Sequence, residues 1–456
     1  MSEQKPEVLD YGQAGERQLS KFVEELTQGK IIRMERQVRW RPSWYVDVER
    51  GDEILRLYLR GQREGDVAIF PDLRREADVI SVLGRHGVPV PKIYGYCENP
   101  PAIVMDALPG TRDMSQASER ERQSIGREYM AAVAAMHRVP VDEFAAVGLD
   151  VPEGAENIAL AGLRAYWPHY QRTKSKPEPL LEFALGWIKR NVPKHRTKPA
   201  FIQFDSGQFL IENGKMTGLY DFEFSMVGDP MTDIATMRMR DSYEPLGDEL
   251  HVLCRHYEEF SGEPVDHAAV NFHTLLFAVL GTMQFAGTVG VPRNGDPHSV
   301  YLEFDVALRQ VILLILSDLM GITIVPEQPL RERPGDNAVL IAKLSDAIAQ
   351  IGTTSELDAS RKDAAAQLIE CLVRSDAMGQ EALARNLADV SALLGQHFDD
   401  WYAAEAALED YVRLMGDKED ERLLRLLAAI EGRRMQILGP TRIGASARHV
   451  HLPPTR

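Results

Sequence analysis

Residues 201–233 run FIQFDSGQFLIENGKMTGLYDFEFSMVGDPMTD: two short apolar segments, Phe209 to Ile211 and Met216 to Tyr220, separated by Glu212-Asn213-Gly214-Lys215. Apolar runs of strand length around an Asn-Gly pair predict a β-hairpin. Acidic and amide side chains, including Asp205, Gln208 and Asp221, fall at the ends of these segments, where a rigid sheet can aim them at one point. Hard oxygen donors so placed suit Mg²⁺ and phosphate, with one carboxylate left to steer a hydroxyl.

Tyr220-Asp221-Phe222-Glu223 and Gly228-Asp229-Pro230-Met231-Thr232-Asp233-Ile234-Ala235 together resemble the IDxE and GDPxxDLA elements of the aminoglycoside phosphotransferase family. These are small-molecule kinases that carry an HGDxxxxN element before the hairpin. The resemblance implies that Asp221 holds the metal on the nucleotide phosphates and that Asp229 and Asp233 brace the loops. The first element departs from the pattern. Family spacing sets Gln208, thirteen residues before Asp221, at the metal-binding Asn position and Gln203 at the catalytic-base position, with Phe201 and Ile202 in place of His and Gly. Glutamine has no carboxylate to take a proton. Asp205, two residues further on, is left as the candidate base or second metal ligand. The alternative is a catalytically impaired nucleotide sensor or scaffold.

The fold implied by the resemblance is α+β: a two-lobed protein-kinase-like fold with an antiparallel-sheet small lobe and a mainly helical large lobe, followed here by a C-terminal helical bundle. Working outward, residues 1–28 read as a polar start and an amphipathic helix, with Leu19, Phe22, Val23 and Leu26 at helical spacing. Residues 29–108 read as the small lobe, with strands at 31–34, 44–48 and 54–59 and a helix from Asp72 to Gly84. By resemblance, Arg56 is the cation on the α- and β-phosphates and Glu76 the helix carboxylate that orients it. Met105, Ala107 and Leu108 fall on the hinge that meets the nucleotide base. No glycine-rich phosphate loop is present; Arg39, Trp40, Arg41, Pro42 and Ser43 stand where one is expected, either as side-chain phosphate donors or as a solvated basic turn.

Residues 109–334 read as the large lobe. Ile125, Tyr129, Val133 and Met136 mark a helix over 119–137 that His137 closes by packing. The low charge of 267–320 points to a lipophilic or acyl-type alcohol as acceptor, unless these helices are simply core. The acceptor of an aminoglycoside enzyme is a polycation and needs rows of carboxylates. A proline-rich charged stretch at 326–337 predicts a boundary, then a separate bundle over 335–438 with stripes such as Leu340, Leu344, Ile348 and Ile351, suited to a homodimer or a protein partner. Residues 439–456 read as a flexible tail, in which His449 and His451 lack a third metal ligand.

The resemblance implies an ATP- or GTP-dependent, Mg²⁺-requiring phosphotransferase acting on a small-molecule hydroxyl, and the composition is consistent with a soluble enzyme. A formal net charge of −16 argues against nucleic acid as a partner. Cys97, Cys254 and Cys371 are too few and too scattered for a disulfide framework, which fits a cytoplasmic location. No signal peptide is visible, and apolar runs such as 275–280 are too short to span a bilayer.

Overall fold

The computed structural model describes residues 10–37, 41–63, 69–294 and 296–456; Arg39 and Trp40 of the basic turn lie outside them. Helix α1 (Gln13–Thr27) precedes strands β1 (Lys30–Arg36), β2 (Ser43–Arg50) and β3 (Glu53–Gly61), helix α2 (Leu73–Arg85), and strands β4 (Ile93–Glu98) and β5 (Pro101–Asp106). The five strands form one antiparallel sheet in the order β1-β2-β3-β5-β4. Alternation along β3 sends Leu55, Leu57 and Leu59 to one face, where they meet Leu19 and Val23 of α1. Arg56, Tyr58 and Arg60 therefore share the other face, toward α2. Asp72 caps α2 by accepting from the Arg74 N–H at 3.0 Å.

The large lobe opens with α3 (Glu119–His137), whose start carries a capping box between Ser118 and Glu121. Then come α4 (Val141–Ala145), α5 (Ala155–Ala159), α6 (Ala161–Thr173) and α7 (Pro179–Arg190). Four short strands follow: β6 (Ala200–Ile202), β7 (Phe209–Glu212), β8 (Lys215–Leu219) and β9 (Met226–Gly228), paired β6-β9 and β7-β8. The expected hairpin is thus present as β7-β8. Helices α8 (Met231–Arg240), α9 (Leu250–Ser261), α10 (His267–Gly290) and α11 (His298–Met320) complete the lobe. Thr111 and Ile211 exchange backbone hydrogen bonds of 3.0 and 2.8 Å, so the segment after β5 is stitched to β7. Gly110 sits at φ +97° beside this contact, and a Cβ there would lie 2.0 Å from the Ile211 carbonyl oxygen, so only glycine fits.

Helix α10 is long and apolar enough to cross a bilayer, but 78% of its most apolar window is buried. It packs on α6, α8 and α11, with Phe272, Leu275, Leu276 and Leu280 inside the core. The apolarity of 267–320 is therefore that of a core, and the inference from it to a lipophilic acceptor loses its basis.

Helices α12 (Ala338–Gln350), α13 (Glu356–Leu394), α14 (Trp401–Met415), α15 (Asp420–Leu438) and α16 (Ala445–Arg448) follow. The boundary expected near 335 does not separate a unit with its own core. Val390, Leu408, Leu423 and Leu427 belong to the same buried cluster as Leu181 of α7 and Leu276 of α10. Charge joins the same surfaces: the buried Arg309 of α11 bonds to Glu178, Asp305 and Glu431 at 2.5, 3.0 and 3.1 Å. Lys174 meets Glu409 of α14 at 2.7 Å. The tail is not a loose end either. Arg238 donates to the Pro453 carbonyl at 2.8 Å, and His267 meets Thr455 at 2.7 Å.

Glu405 of α14 borders this cluster, and burial pushes its carboxyl up to about 7, with Glu178 and Glu431 adding to the rise and Lys176 and Arg309 opposing it. An unfolded glutamate titrates near 4.3, so the stability this proton supports is full below that pH and is lost as pH rises through 7. Glu405→Gln should therefore gain on the wild type by about 1–3 kcal/mol between pH 4 and pH 8. Denaturant unfolding at the two pH values measures this; a pH-independent difference would contradict it.

Candidate active site

Two loops and two strands converge below the sheet. The loop after β6 is fixed by its backbone: the Gln203 and Phe204 N–H groups donate to Asp233 at 3.0 and 2.8 Å, Ser206 N–H to Thr236 at 3.2 Å, and Gly207 N–H to the Tyr129 hydroxyl at 2.6 Å. Phe204 is held at φ +71°, a conformation costly outside glycine and sustained by these bonds. Asp233 is fully buried and also meets His137 Nε2 at 2.9 Å, while His137 Nδ1 meets the Tyr257 hydroxyl at 2.9 Å. His137 thus anchors the loop from behind. Asp229 braces the next turn. Burial alone would raise its carboxyl, but hydrogen bonds from His273 and Arg196 hold it well below the usual range.

Gln203 does structural work at its position. Its Nε2 donates to the Tyr220 carbonyl at 2.7 Å and faces that of Asp221 at 3.4 Å, latching the loop to the strand beside it. A carboxylate there could not donate. Its Oε1 is buried and has no hydrogen-bond partner among the described residues.

Asp205 lies on the open side of the loop, half-buried. Its Oδ1 accepts from Arg240 Nη2 at 2.5 Å and its Oδ2 from Gln208 Nε2 at 2.9 Å. Burial raises its pKa; Arg240 pulls it back, and the nearby charge of Asp221 raises it further. Asp221 itself is at φ +64° and half-buried. Burial would raise its carboxyl as well, but the guanidinium groups of Arg60, Arg41 and Arg63 outweigh that and hold it low.

The small-lobe cation differs from the expected one. Arg56 is exposed on β3, opposite Asp47, and Arg60, two pleat repeats further along the same face, meets Glu76 at 3.0 Å and also bonds Asp221. Glu76 is almost fully buried. It accepts in addition from Arg41 Nη1 at 3.4 Å and, on its other oxygen, from the Phe222 N–H at 3.1 Å. Arg41 and Arg63 both bond Glu223. Arg41, Arg60 and Arg63 therefore form one network with Glu76, Asp221 and Glu223; Arg41 was expected as a candidate phosphate donor and Glu223 only as part of the IDxE-like motif, whereas Arg60 and Arg63 are residues that sequence reasoning missed. The alternation of leucines on β3 does put Arg60 on the α2 side, but only the register of α2 selects it over Arg56.

On the hinge, Met105 is buried against Leu73, Ala77 and Ile103, whereas Ala107 and Leu108 are half-exposed. The Ala107 N–H is already spent on the Arg56 carbonyl at 3.0 Å. Beside the loop lies a cleft of about 470 Å³ lined by Arg112, Met114, Arg122, Tyr243, Glu244 and Pro245, among others. It connects to Asp205 through Glu244, which meets Arg240 at 2.6 Å and Arg112 at 3.1 Å.

The donor set suits a magnesium ion. Asp221 and Asp205 offer carboxylate oxygens, and Gln208, whose Nε2 is spent on Asp205, keeps its carbonyl oxygen for the other side. Among the described residues no three His, Cys, Asp or Glu side chains form a metal-binding group. Mg²⁺ with few protein ligands, completed by phosphate and water, matches such a set.

A twisted antiparallel sheet carrying one helix, a hinge, and a helical lobe whose hairpin and braced loop face a cation-carboxylate pair make up a protein-kinase-like fold. The chain belongs to the phosphotransferase enzyme family, whose model matches residues 39–269, as the motifs over 220–235 implied. Among solved structures, a Ralstonia eutropha JMP134 protein described as an aminoglycoside phosphotransferase superposes with a TM-score of 0.50 at 18% identity, over 65% of this chain and 95% of its own. A thermostable aminoglycoside phosphotransferase mutant, in ternary complex with AMP-PNP and hygromycin B, gives 0.49 at 13% identity over 66% of this chain and 99% of its own. Mouse acyl-CoA dehydrogenase family member 10 is 23% identical over 175 residues, which cover 36% of this chain and 16% of that relative's length.

Proposed function

We propose that this protein transfers the γ-phosphate of ATP or GTP to a hydroxyl of a small molecule, with Asp205 as the base. The observation that supports this reading is the placement of Asp205: a carboxylate with a raised pKa, clamped by Arg240 and Gln208 on the loop after β6 and linked through Arg240 to Glu244 at the edge of the cleft. In the proposed step the acceptor hydroxyl gives its proton to Asp205 as its oxygen bonds the γ-phosphorus, and the bond from that phosphorus to the β-γ bridging oxygen breaks. Arg60, oriented by Glu76, grips the α- and β-phosphates in a planar fork. Asp221 and Gln208 would hold Mg²⁺, which supplies charge neutralisation on the phosphates when bound. Ala107 and Leu108 border the nucleotide base, with Met105 packed behind them.

The acceptor we assign to the cleft of about 470 Å³ is an alcohol with an apolar, acyl-type body. Met114, Tyr243 and Pro245 offer apolar contact, and the charges of Arg112 and Arg122 are balanced there by Asp113 and Glu244. The mouse relative's name, an acyl-CoA dehydrogenase family member, is in keeping with that class. Gln203 at the family's base position favours a second reading, a nucleotide sensor without turnover.

Thermal unfolding with Mg²⁺ and ATP or GTP tests nucleotide binding. A saturating nucleotide should raise Tm in the wild type, and Arg60→Met should weaken the apparent affinity tenfold or more. No shift with either nucleotide would overturn the reading.

A further inference from the structure

Two buried tyrosines hold the loop after β6 through their hydroxyls: Tyr129 directly, from the Gly207 N–H at 2.6 Å, and Tyr257 through His137 at 2.9 Å. Tyr166 of α6, only 2% exposed, makes no hydrogen bond with its hydroxyl among the described residues. A buried polar group without a partner is uncommon and costly, and calls for an explanation. The centre of its ring lies 5.6 Å from that of Phe204 and 6.4 Å from that of Phe224. These are the chain neighbours of Asp205 and Glu223, so Tyr166 is wedged between the loop that carries the proposed base and the segment after Asp221. The wedge is tight: one turn earlier on α6, a Cβ at Gly162 would come 2.9 Å from the Phe204 ring. Burial, then the charges of Asp205 and Glu223, push the phenol well above its ordinary pKa against the pull of Arg63, so it stays a neutral donor. Tyr170, one turn further along, also has an unpaired buried hydroxyl, but the charges acting on that one are Glu178, Glu182, Glu409 and Arg309, none of them in the site.

We infer that Tyr166 is a further catalytic residue of the proposed phosphoryl transfer, its phenol O–H donating a hydrogen bond to a non-bridging oxygen of the γ-phosphoryl group in transit. The inference rests on the phosphotransfer reading and adds a residue to it. Between base and metal ligand is where the phosphoryl group must pass, and in transit its charge is spread over the equatorial oxygens. A donor already fixed there by packing needs no reorganisation when that charge develops. An O–H left unsatisfied in the empty site and satisfied only during transfer favours the transition state over the ground state. The tyrosine keeps its proton throughout, and the acceptor's proton still passes to Asp205.

Tyr166→Phe removes the hydroxyl and nothing else. Because no hydrogen bond is lost, the empty variant should melt within about 1 °C of the wild type or above it. Binding of ADP and Mg²⁺, with and without aluminium fluoride as a mimic of the phosphoryl group in transit, reads the role directly by thermal shift or calorimetry. Fluoroaluminate should tighten ADP binding in the wild type, and the variant should lose about tenfold of that gain while binding ADP alone within about twofold of the wild type. A variant with an undiminished gain, or one that weakens ADP alone to the same extent, overturns the inference and leaves the phosphotransfer reading standing. A wild type that binds no ADP, or gains nothing from fluoroaluminate, overturns both.

Discussion

Replacing Asp205 with asparagine is expected to lower the rate of phosphoryl transfer by about 10²–10⁴-fold, the usual contribution of a positioned general base. The substitution is nearly isosteric, and an amide oxygen can still accept from Arg240, so nucleotide affinity should change by less than about threefold. The wild-type rate should fall as pH drops through the pKa of Asp205. Burial, reinforced by the charge of Asp221, places that limb above the range of an ordinary aspartate. Steady-state kinetics on hydroxylated acyl compounds, with nucleotide hydrolysis as background, provide the measurement. A loss of less than tenfold would take the base role from Asp205. A wild type that binds nucleotide but never turns it over would favour the sensor, and would give Gln203 its meaning as the residue that replaced the base.

Arg309→Met should cost about 3–5 kcal/mol, because three buried carboxylates, Glu178, Asp305 and Glu431, lose the cation they share. That is a large part of the stability of an ordinary domain, and for a chain of 456 residues unfolding as one unit corresponds to a fall in Tm of roughly 3–5 °C. Asp305 and Glu431 keep Arg434, and Glu178 keeps Lys176 at 3.7 Å, but three carboxylates are then left with too little positive charge; protonation relieves that penalty, so the loss should shrink at pH 5 relative to pH 8. A deficit under about 1 kcal/mol at pH 8 would mean that solvent reaches the cluster. The result bears on domain organisation as well. Arg309 ties α11 to α15, so weakening it should lower the unfolding of the whole chain and not produce a separate early transition.

Much of the fold was legible because local pattern and global role agree. The Asn-Gly turn between two apolar runs became β7-β8, the 3–4 spacing of 125, 129, 133 and 136 became α3, and the leucines of β3 alternate as a one-faced strand must. What was not legible depends on packing between distant segments. Arg56 and Arg60 lie on the same face of one strand, and sequence cannot say which of them α2 will meet. The stripe on α12 has the same periodicity as a buried one, yet the helix has no buried residue; a pattern of spacing carries no information on what covers it. Likewise the charged, proline-rich stretch before 338 looks like a linker, yet the helices beyond it complete the core of the large lobe. That Gln203 carries no carboxylate is plain in the sequence, but its donor role toward Tyr220 follows only from the loop's shape.

Glu76 divides its two oxygens between lobes, one toward the arginines of the small lobe and one toward the main chain at Phe222. Arg60 in turn reaches from that carboxylate to Asp221. Under the proposed function a triphosphate would compete with Asp221 for the same guanidinium, so that ligand occupancy and the hinge angle of the molecule would become a single mechanical variable, read at one glutamate.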